Sequence, residues 1–268
     1  MNDEQVRQAA LAKVPAVTLG FWIIKILATT LGETAGDTVT MSWLGETTDH
    51  PVPNGYLIGT AIFGALLLIL VWAQIRARRF NPWLYWATIA ASTTMGTTLA
   101  DFADRSLGVG YPGGSLLLLG CVLLSLFAWH RSLGTVDVST VASPKAEAFY
   151  WLTITFSQTL GTALGDWAAD GALGYAGGAI VFGAALLVLV ALYYWTSISR
   201  VLLFWAAFIL TRPLGATVGD FLDKPLDEGG LELSRAMASA ALAIAIVALI
   251  FILPQRPGVH PGDREVRT

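Results

Sequence analysis

The sequence is poor in charged residues and in the side chains that most metal and nucleophilic sites use. Only 13% of its 268 residues are charged, against about 25% in a typical soluble domain. One cysteine, Cys121, and three histidines are present, which excludes a disulfide framework and a Cys/His metal cluster. The net charge of −3 is too small to indicate a nucleic-acid partner. A metal would therefore have to bind oxygen ligands.

Side chains in an arrangement typical of an enzyme site are also lacking. The serines and threonines of the predicted spans have no histidine base near them, because His50 is predicted in an outer loop and His130 and His260 in the cytoplasm. Glycine-rich segments such as 113–114 have no phosphate-binding context. We therefore predict no catalytic residues, no enzyme activity and no covalent cofactor.

Long apolar runs dominate what is present. Hydrophobic residues make up 55% of the chain, and ten tryptophans suit two interfacial belts. A membrane helix needs about 20 mostly apolar residues. Runs of this kind occupy 15–38, 55–75, 82–103, 113–131, 147–168, 174–196, 200–222 and 231–253. We predict an all-α polytopic membrane protein with eight transmembrane helices.

Basic residues indicate how the spans are oriented. Most lie in one set of connections, which includes Lys13, Lys145 and the tail, whereas the opposite set holds mainly Arg105, Lys224 and Arg235. The positive-inside rule then places both termini in the cytoplasm. The predicted organisation is a cytoplasmic segment at 1–14, one membrane domain at 15–254 with repeats at about 15–76, 80–131, 145–196 and 199–253, and a disordered cytoplasmic tail at 255–268.

The chain repeats itself four times. Each copy has a tryptophan, a glycine ten residues later and an aspartate five residues after that. These residues are Trp22, Gly32 and Asp37; Trp86, Gly96 and Asp101; Trp151, Gly161 and Asp166; and Trp205, Gly215 and Asp220. Each copy holds two spans, so that we predict four parallel two-helix hairpins in a pseudo-fourfold bundle, with the odd helices inside and the even helices outside.

The odd spans carry a polar stripe whose members are four residues apart and so share one helix face. The stripe reads Lys25, Thr29, Glu33, Asp37; Ile89, Thr93, Thr97, Asp101; Ile154, Gln158, Thr162, Asp166; and Phe208, Arg212, Ala216, Asp220. Small residues four apart in the same motif are typical of closely packed membrane helices. We therefore expect the stripes to face a common axis.

The stripe has the chemistry of a cation site. Glu33, Asp37, Asp101, Asp166 and Asp220 would provide charge, and Thr29, Thr93, Thr97, Thr162 and Gln158 would provide neutral oxygens. Such hard ligands favour Mn²⁺, Ca²⁺ or Mg²⁺ over Zn²⁺ or Cu²⁺. The helix dipole disfavours carboxylates at helix C-termini, which indicates compensation by a cation, a proton or a basic partner. Alternatively, the aspartates anchor loops by accepting hydrogen bonds at neighbouring helix N-termini.

Ionisable residues also occur deeper within the spans and beyond the aspartates. Lys25 and Arg212 are expected either to act as gating or coupling charges or to form a structural ion pair with Glu33. Their positive charge argues against a simple open cation pore. A second tier of acids, at Asp104, Asp170 and Asp223, is predicted to lie in solvated loops.

Four segments that end at the repeated aspartates resemble a family of uncharacterised bacterial inner-membrane proteins with a Thr-x-Gly-x-x-x-Gly-Asp motif, described only as membrane-anchored. The segments are 30–37, 94–101, 159–166 and 213–220, of which the last departs by Pro213 and Ala216. The resemblance implies the bacterial inner membrane and no assigned function. Residues 33–38 are also similar to the Glu-x-Gly-Asp-Lys/Arg-Thr/Ser motif of Mn²⁺/Ca²⁺ cation/proton exchangers, with one extra residue and no basic residue.

From these features we predict transport of a cation, with a divalent metal such as Mn²⁺ favoured and proton-coupled export as one form. The expected partners are the lipid bilayer and the cation, and a homo-oligomer is left open. Three alternatives stand beside it. The first is a monovalent cation or proton channel, the second a non-transporting scaffold or accessory subunit, and the third an anion or small-solute carrier that uses Lys25 and Arg212.

Overall fold

The computed structural model describes residues 11–259, and helices account for most of this part of the chain. Within it, eight long helices follow one another: α1 (Leu19–Asp37), α2 (Gly55–Arg76), α3 (Pro82–Asp101), α4 (Tyr111–Leu133), α5 (Pro144–Ala168), α6 (Gly174–Trp195), α7 (Arg200–Asp223) and α8 (Arg235–Ile252). Each coincides with a predicted span to within a few residues. The prediction of an all-α chain with eight long helices is therefore confirmed.

The apolar outside of the bundle identifies a membrane protein. Among the described helices, α2, α4, α6, α7 and α8 are long and apolar enough to cross a membrane. Leu68, Leu116, Ile180 and Phe251 are between 71% and 75% exposed. Water would not tolerate so much contiguous apolar surface. The remaining helices, α1, α3 and α5, bury threonines and carboxylates along one face, which lowers their mean hydropathy.

Side chains that cap free backbone N–H groups start four of the helices. Thr18, Asn81, Ser143 and Ser199 precede α1, α3, α5 and α7, and each accepts a hydrogen bond from the backbone N–H three residues later. Such caps stabilise a helix start because the first N–H groups have no partner inside the helix. The first helix of every repeat therefore begins with the same kind of side-chain N-cap.

Helices α1, α3, α5 and α7, here called the inner helices, form a closed ring. Helix α1 packs on α3, α3 on α5, α5 on α7, and α7 returns to α1. The other four, here called the outer helices, lie outside this ring and leave most of their residues at least partly exposed. The helices with the polar stripe are thus surrounded by apolar ones.

The outer helix of each repeat packs on the inner helix of the next repeat rather than on its own. Helix α2 packs on α3, α4 on α5 and α6 on α7, and α8 completes the circle on α1. The two helices of each predicted hairpin therefore make few contacts with each other. Each repeat depends on its neighbour to cover its inner helix, so that the four copies form one interlocked unit.

The two ends of the described chain meet at the end of the ring where the inner helices begin. Strand β1 (Leu11–Pro15) pairs antiparallel with β2 (Pro257–Val259), and Pro15 lies opposite Pro257. The predicted disordered tail, 255–268, therefore contains a strand near its start. Residues 1–10 and 260–268, which include Arg7 and His260, lie outside the described residues.

Candidate functional site

The polar stripes of the inner helices lie inside the ring and form four successive tiers. From the helix starts upward, they are the lysine tier (Lys25, Ile89, Ile154, Phe208), the arginine tier (Thr29, Thr93, Gln158, Arg212), the glutamate tier (Glu33, Thr97, Thr162, Ala216) and the aspartate tier (Asp37, Asp101, Asp166, Asp220). Every one of these residues is at most 6% exposed. The predicted site residues therefore lie together in the buried interior.

Glycines of the repeat let the inner helices approach closely. A Cβ added to Gly32, Gly96, Gly161 or Gly215 would overlap the arginine-tier residue of the next inner helix, which is Thr93, Gln158, Arg212 or Thr29 respectively. The same contact therefore recurs four times around the ring. Small residues play the same part in other membrane helix packings, because they permit close backbone contact. The prediction that these glycines serve packing is confirmed.

Arg212 lies at the centre of the ring. Its Nη2 donates to Glu33 Oε2 at 2.9 Å, to Thr97 Oγ1 at 2.6 Å and to Thr162 Oγ1. These acceptors come from α1, α3 and α5, so that one guanidinium contacts all three of the other inner helices. Of the two partners predicted for Glu33, the structure selects Arg212. Its side chain fills the axis below the aspartate tier.

Lys25 lies deeper and is not the partner of Glu33. Its Nζ is 3.4 Å from Thr211 Oγ1 and 4.2 Å from the centre of the Phe208 ring. Among residues 11–259, no carboxylate lies within ion-pair distance of this ammonium. A hydroxyl and an aromatic face stabilise a cation without neutralising it.

Three carboxylates converge where the glutamate and aspartate tiers meet. Glu33, Asp37 and Asp220 each offer an oxygen within 4.8 Å of the others. Asp37 Oδ1 and Asp101 Oδ2 are buried and have no hydrogen-bond partner in the described part of the chain. Buried carboxylate oxygens without a partner are costly, because they have lost water and gained nothing in exchange.

Lys224 supplies part of the compensating charge. Its Nζ lies 2.6 Å from Asp37 Oδ2 and 3.0 Å from Asp220 Oδ1. Burial lowers the pKa of Lys224, but the charges of Asp220, Asp37 and Asp223 raise it more, so that this pKa lies well above its ordinary value. A charged ammonium tethered to the end of α7 therefore occupies one side of the carboxylate cluster.

The other basic residues at this end of the ring also pair with carboxylates. Arg105 Nε lies 2.8 Å from Asp101 Oδ1, and Arg235 Nε lies 3.6 Å from Asp223 Oδ2. The prediction of a solvated loop position for Asp223 is wrong, since this residue is 6% exposed. Sequence reasoning missed Lys224 and Arg105 as site residues. The available signal was their position four residues after a repeated aspartate, on the same helix face.

The inner helices change geometry directly after the aspartate in the first two repeats and three residues after it in the third. Thr38–Trp43 and Phe102–Ser106 are π-helical turns, a distortion frequently found at functional sites. Ala169–Leu173 is also wound in this way but is kinked at Gly171, whose backbone is not helical. In the fourth repeat, α7 continues to Asp223 and is followed by Lys224. The fourth copy therefore differs from the others at the point where it supplies a cation.

Aromatic side chains close the opposite end of the ring. The residues before the repeated tryptophans, Phe21, Tyr85, Tyr150 and Phe204, are all buried. The hydroxyls of Tyr85 and Tyr150 are 2.6 Å apart, and the Phe21 ring centre is 6.2 Å from that of Phe204. A path along the axis is therefore blocked below the lysine tier as well as at Arg212.

Comparison with known families agrees with this fourfold division of the chain. The family model described as a repeat of unknown function, DUF347, matches residues 20–80, 84–135, 149–199 and 203–254. The organisation in four repeats, predicted from the tryptophan, glycine and aspartate spacing, is therefore confirmed. No curated protein and no solved structure matches the chain.

Proposed function

The chain belongs to the DUF347 repeat family, and we propose that it transports a divalent metal cation across a membrane by way of the aspartate tier. The observation that carries the proposal is the convergence of Glu33, Asp37 and Asp220 within 4.8 Å in the buried interior. Among residues 11–259, Asp37 Oδ1 has no hydrogen-bond partner, so that this oxygen is available as a metal ligand. Carboxylate oxygens in this number suit Mn²⁺, Ca²⁺ or Mg²⁺.

The proposal includes the arrangement in the membrane. All eight helices would cross the bilayer around a pseudo-fourfold axis, in a bacterial inner membrane, with both termini in the cytoplasm. The closed ring of inner helices and the fourfold glycine contact support this symmetry. The meeting of β1 and β2 supports a common side for the two ends. The aspartate tier would then lie toward the outer side.

Lys224 gives this site an exchange mechanism. A divalent cation that binds Asp37 and Asp220 would displace the ammonium that now lies at 2.6 and 3.0 Å from them. Lys224 follows the end of α7 and is outside the helix, so that it can withdraw without unwinding an inner helix. When the metal leaves, the ammonium would return and keep the carboxylates compensated.

Passage beyond the tier requires a conformational change. The Arg212 guanidinium and the aromatic residues at the helix starts close the axis, which disfavours an open monovalent-cation or proton channel. Glu33 is shared between the carboxylate cluster and Arg212. A metal that draws Glu33 away from Arg212 would therefore weaken one of the contacts that close the path, and proton-coupled export is one form of such a cycle.

A non-transporting membrane scaffold is the second candidate. It is favoured by the ion pairs of Asp37, Asp101 and Asp223 with basic residues of the same chain. In that case the tiers are a buried polar core. Substitutions there should change the stability of the protein, and neither the wild type nor the variants should transport metal.

Replacing Asp37 and Asp220 with asparagine in one variant is expected to abolish metal flux, because two of the three converging carboxylates lose their charge. The measurement is Mn²⁺ entry into liposomes that contain the purified protein and a trapped metal-sensitive dye. In parallel, Mn²⁺ should raise the stability of the wild type, by about 2.7 kcal/mol at 100 times its dissociation constant, and should not stabilise the variant.

The matched control is Asp170→Asn, because Asp170 is an exposed acid near the same end of the ring. It should retain flux. If the double variant lost its fold because Lys224 was left without a partner, adding Lys224→Gln would remove that charge. Flux at the wild-type rate in a folded variant without these carboxylates would contradict the proposal, as would the absence of both flux and stabilisation with Mn²⁺, Ca²⁺ and Mg²⁺ in the wild type.

A further inference from the structure

We infer that the lysine and arginine tiers bind a small inorganic anion, with chloride as the fitting case, at a site separate from the carboxylate cluster. The site would lie between Lys25 on α1, Gln158 on α5 and Arg212 on α7. It goes beyond the proposed cation transport and does not depend on it. Two independent observations support it: an excess of buried positive charge, and buried polar atoms that have no partner.

The charges of the two deep tiers do not balance. Lys25 and Arg212 are both 0% exposed, and Glu33 is the one carboxylate within ion-pair distance of either, among residues 11–259. Glu33 already pairs with Arg212. The aspartate tier begins twelve residues above Lys25 on α1, which corresponds to about 18 Å along a helix, and its acids have Lys224 and Arg105 beside them. One positive charge is therefore left over deep in the ring.

An unbalanced ammonium in this place is expensive. Transfer of an isolated charge to an apolar surrounding costs several kcal/mol or more, so that such a charge is either paired or lost by release of the proton. Its neighbours in the tier are Ile89, Ile154 and Phe208, of which only the Phe208 ring interacts favourably with a cation. An anion beside Lys25 would supply the missing charge.

Hydrogen-bond donors around the same place are also unused. Three donor atoms, Nε2 of Gln158 and Nε and Nη1 of Arg212, are buried without a hydrogen-bond partner in the part of the chain that the structure describes, as is the acceptor Oε1 of Gln158. Gln158 is 0% exposed. Helix α7 lies next to both α5 and α1 in the ring, and Lys25 contacts Thr211, the residue before Arg212. The donors of the three residues therefore come from neighbouring helices at adjacent levels.

The surrounding chemistry selects an anion over a cation and a small ion over a large one. An ammonium and a guanidinium are donors only, and they outnumber the single carboxylate that faces them. The place is enclosed by the aromatic residues at the helix starts and by the glutamate tier above. Of the inorganic anions, a monatomic one needs the least space in such an enclosed place, and it loses its water at a lower cost than a multivalent anion does.

The test is the melting temperature of the detergent-purified protein in sodium chloride, sodium bromide and sodium gluconate at equal ionic strength. We expect chloride and bromide to raise the melting temperature in a saturable manner, whereas gluconate, which is too large to enter, does not. Lys25→Met should lose the chloride-dependent shift. In gluconate this variant should melt above the wild type, because the unbalanced charge is gone.

The matched control is Arg105→Gln, which removes a positive charge that is already paired at the other end of the ring; it should keep the chloride shift. An equal melting temperature of the wild type in chloride and gluconate would overturn the proposal, as would a full shift in Lys25→Met. If Lys25→Met did not fold, binding of radioactive chloride to the wild type and to Gln158→Leu would be measured instead. We expect weaker binding in Gln158→Leu than in the wild type. No binding to the wild type would contradict the proposal.

This outcome is independent of the cation proposal. The variant with Asp37→Asn and Asp220→Asn should keep the chloride shift even if it loses Mn²⁺ flux. Conversely, loss of the chloride effect in Lys25→Met, measured without divalent metal, says nothing about binding at the carboxylates.

Discussion

Replacing Arg212 with methionine is expected to lower the free energy of unfolding by about 3–5 kcal/mol, the cost of removing one partner of a buried ion pair. Methionine retains much of the volume but leaves the Glu33 carboxylate, 4% exposed, without its cation. The hydrogen bonds to Thr97 and Thr162 are lost as well, and with them a group that contacts all three other inner helices. The measurement is denaturant unfolding in detergent micelles.

A double-mutant cycle separates the ion pair from general damage. Glu33→Gln alone should also destabilise the protein, and the variant with both changes should lose less than the sum of the two single losses, because neither charge is then left alone. Arg131→Met is the matched control: Arg131 is exposed on outer helix α4, and its change should stay within about 0.5 kcal/mol. Additive losses in the cycle would mean that the pair is not coupled in the folded protein.

Replacing Gly161 with leucine is the second change with a large expected effect. A side chain at this position meets the Arg212 side chain and the ring of Pro213 at once. Overpacking of this kind costs about 1–3 kcal/mol and occasionally more. It would also force α5 away from α7 and move Arg212 from the axis. The melting temperature in detergent should fall, and the Gly161→Leu protein should bind metal and chloride less well than the wild type.

Gly183→Leu provides the comparison for this change. Gly183 lies in outer helix α6, and a Cβ there would meet no atom within 4 Å. Both substitutions gain the same helix propensity, of about 1 kcal/mol over glycine, so that their difference isolates the clash. Equal melting temperatures of the two variants would show that the inner helices do not approach as closely at Gly161 as the structure has them.

Sequence reasoning found the tiers because they follow from local periodicity. The spacing of tryptophan, glycine and aspartate repeats within each inner helix, and residues four apart share a face whatever the surroundings. The periodicity alone therefore predicts that Thr97, Thr162 and Glu33 face one interior, where the structure joins all three to Arg212. The same reasoning located the glycines that now pack against the arginine tier.

Helical periodicity does not predict which residues of different helices form ion pairs with each other. The sequence predicts Lys224 in an outward connection, whereas its side chain lies between Asp37 and Asp220. Its orientation depends on the chain after α7, where the backbone N–H of Glu232 bonds to the carbonyl oxygen of Lys224. The sequence of this segment does not reveal that the chain turns back on itself there. The sequence predicts a solvated Asp223 for the same reason, because the burial of this residue depends on how the chain folds back beside α8.

By itself, the sequence determined the helices, their fourfold repetition and the polar face of each inner helix, because hydropathy and helical periodicity act over a few neighbouring residues. Only the tertiary structure decided that each outer helix covers the next repeat, that Arg212 rather than Lys25 neutralises Glu33, and that Lys25 is left without a carboxylate in the described chain. Glu33 and Arg212 are 179 residues apart. Their pairing exists only because α7 closes the ring on α1, and ring closure is a property of all the helix contacts together.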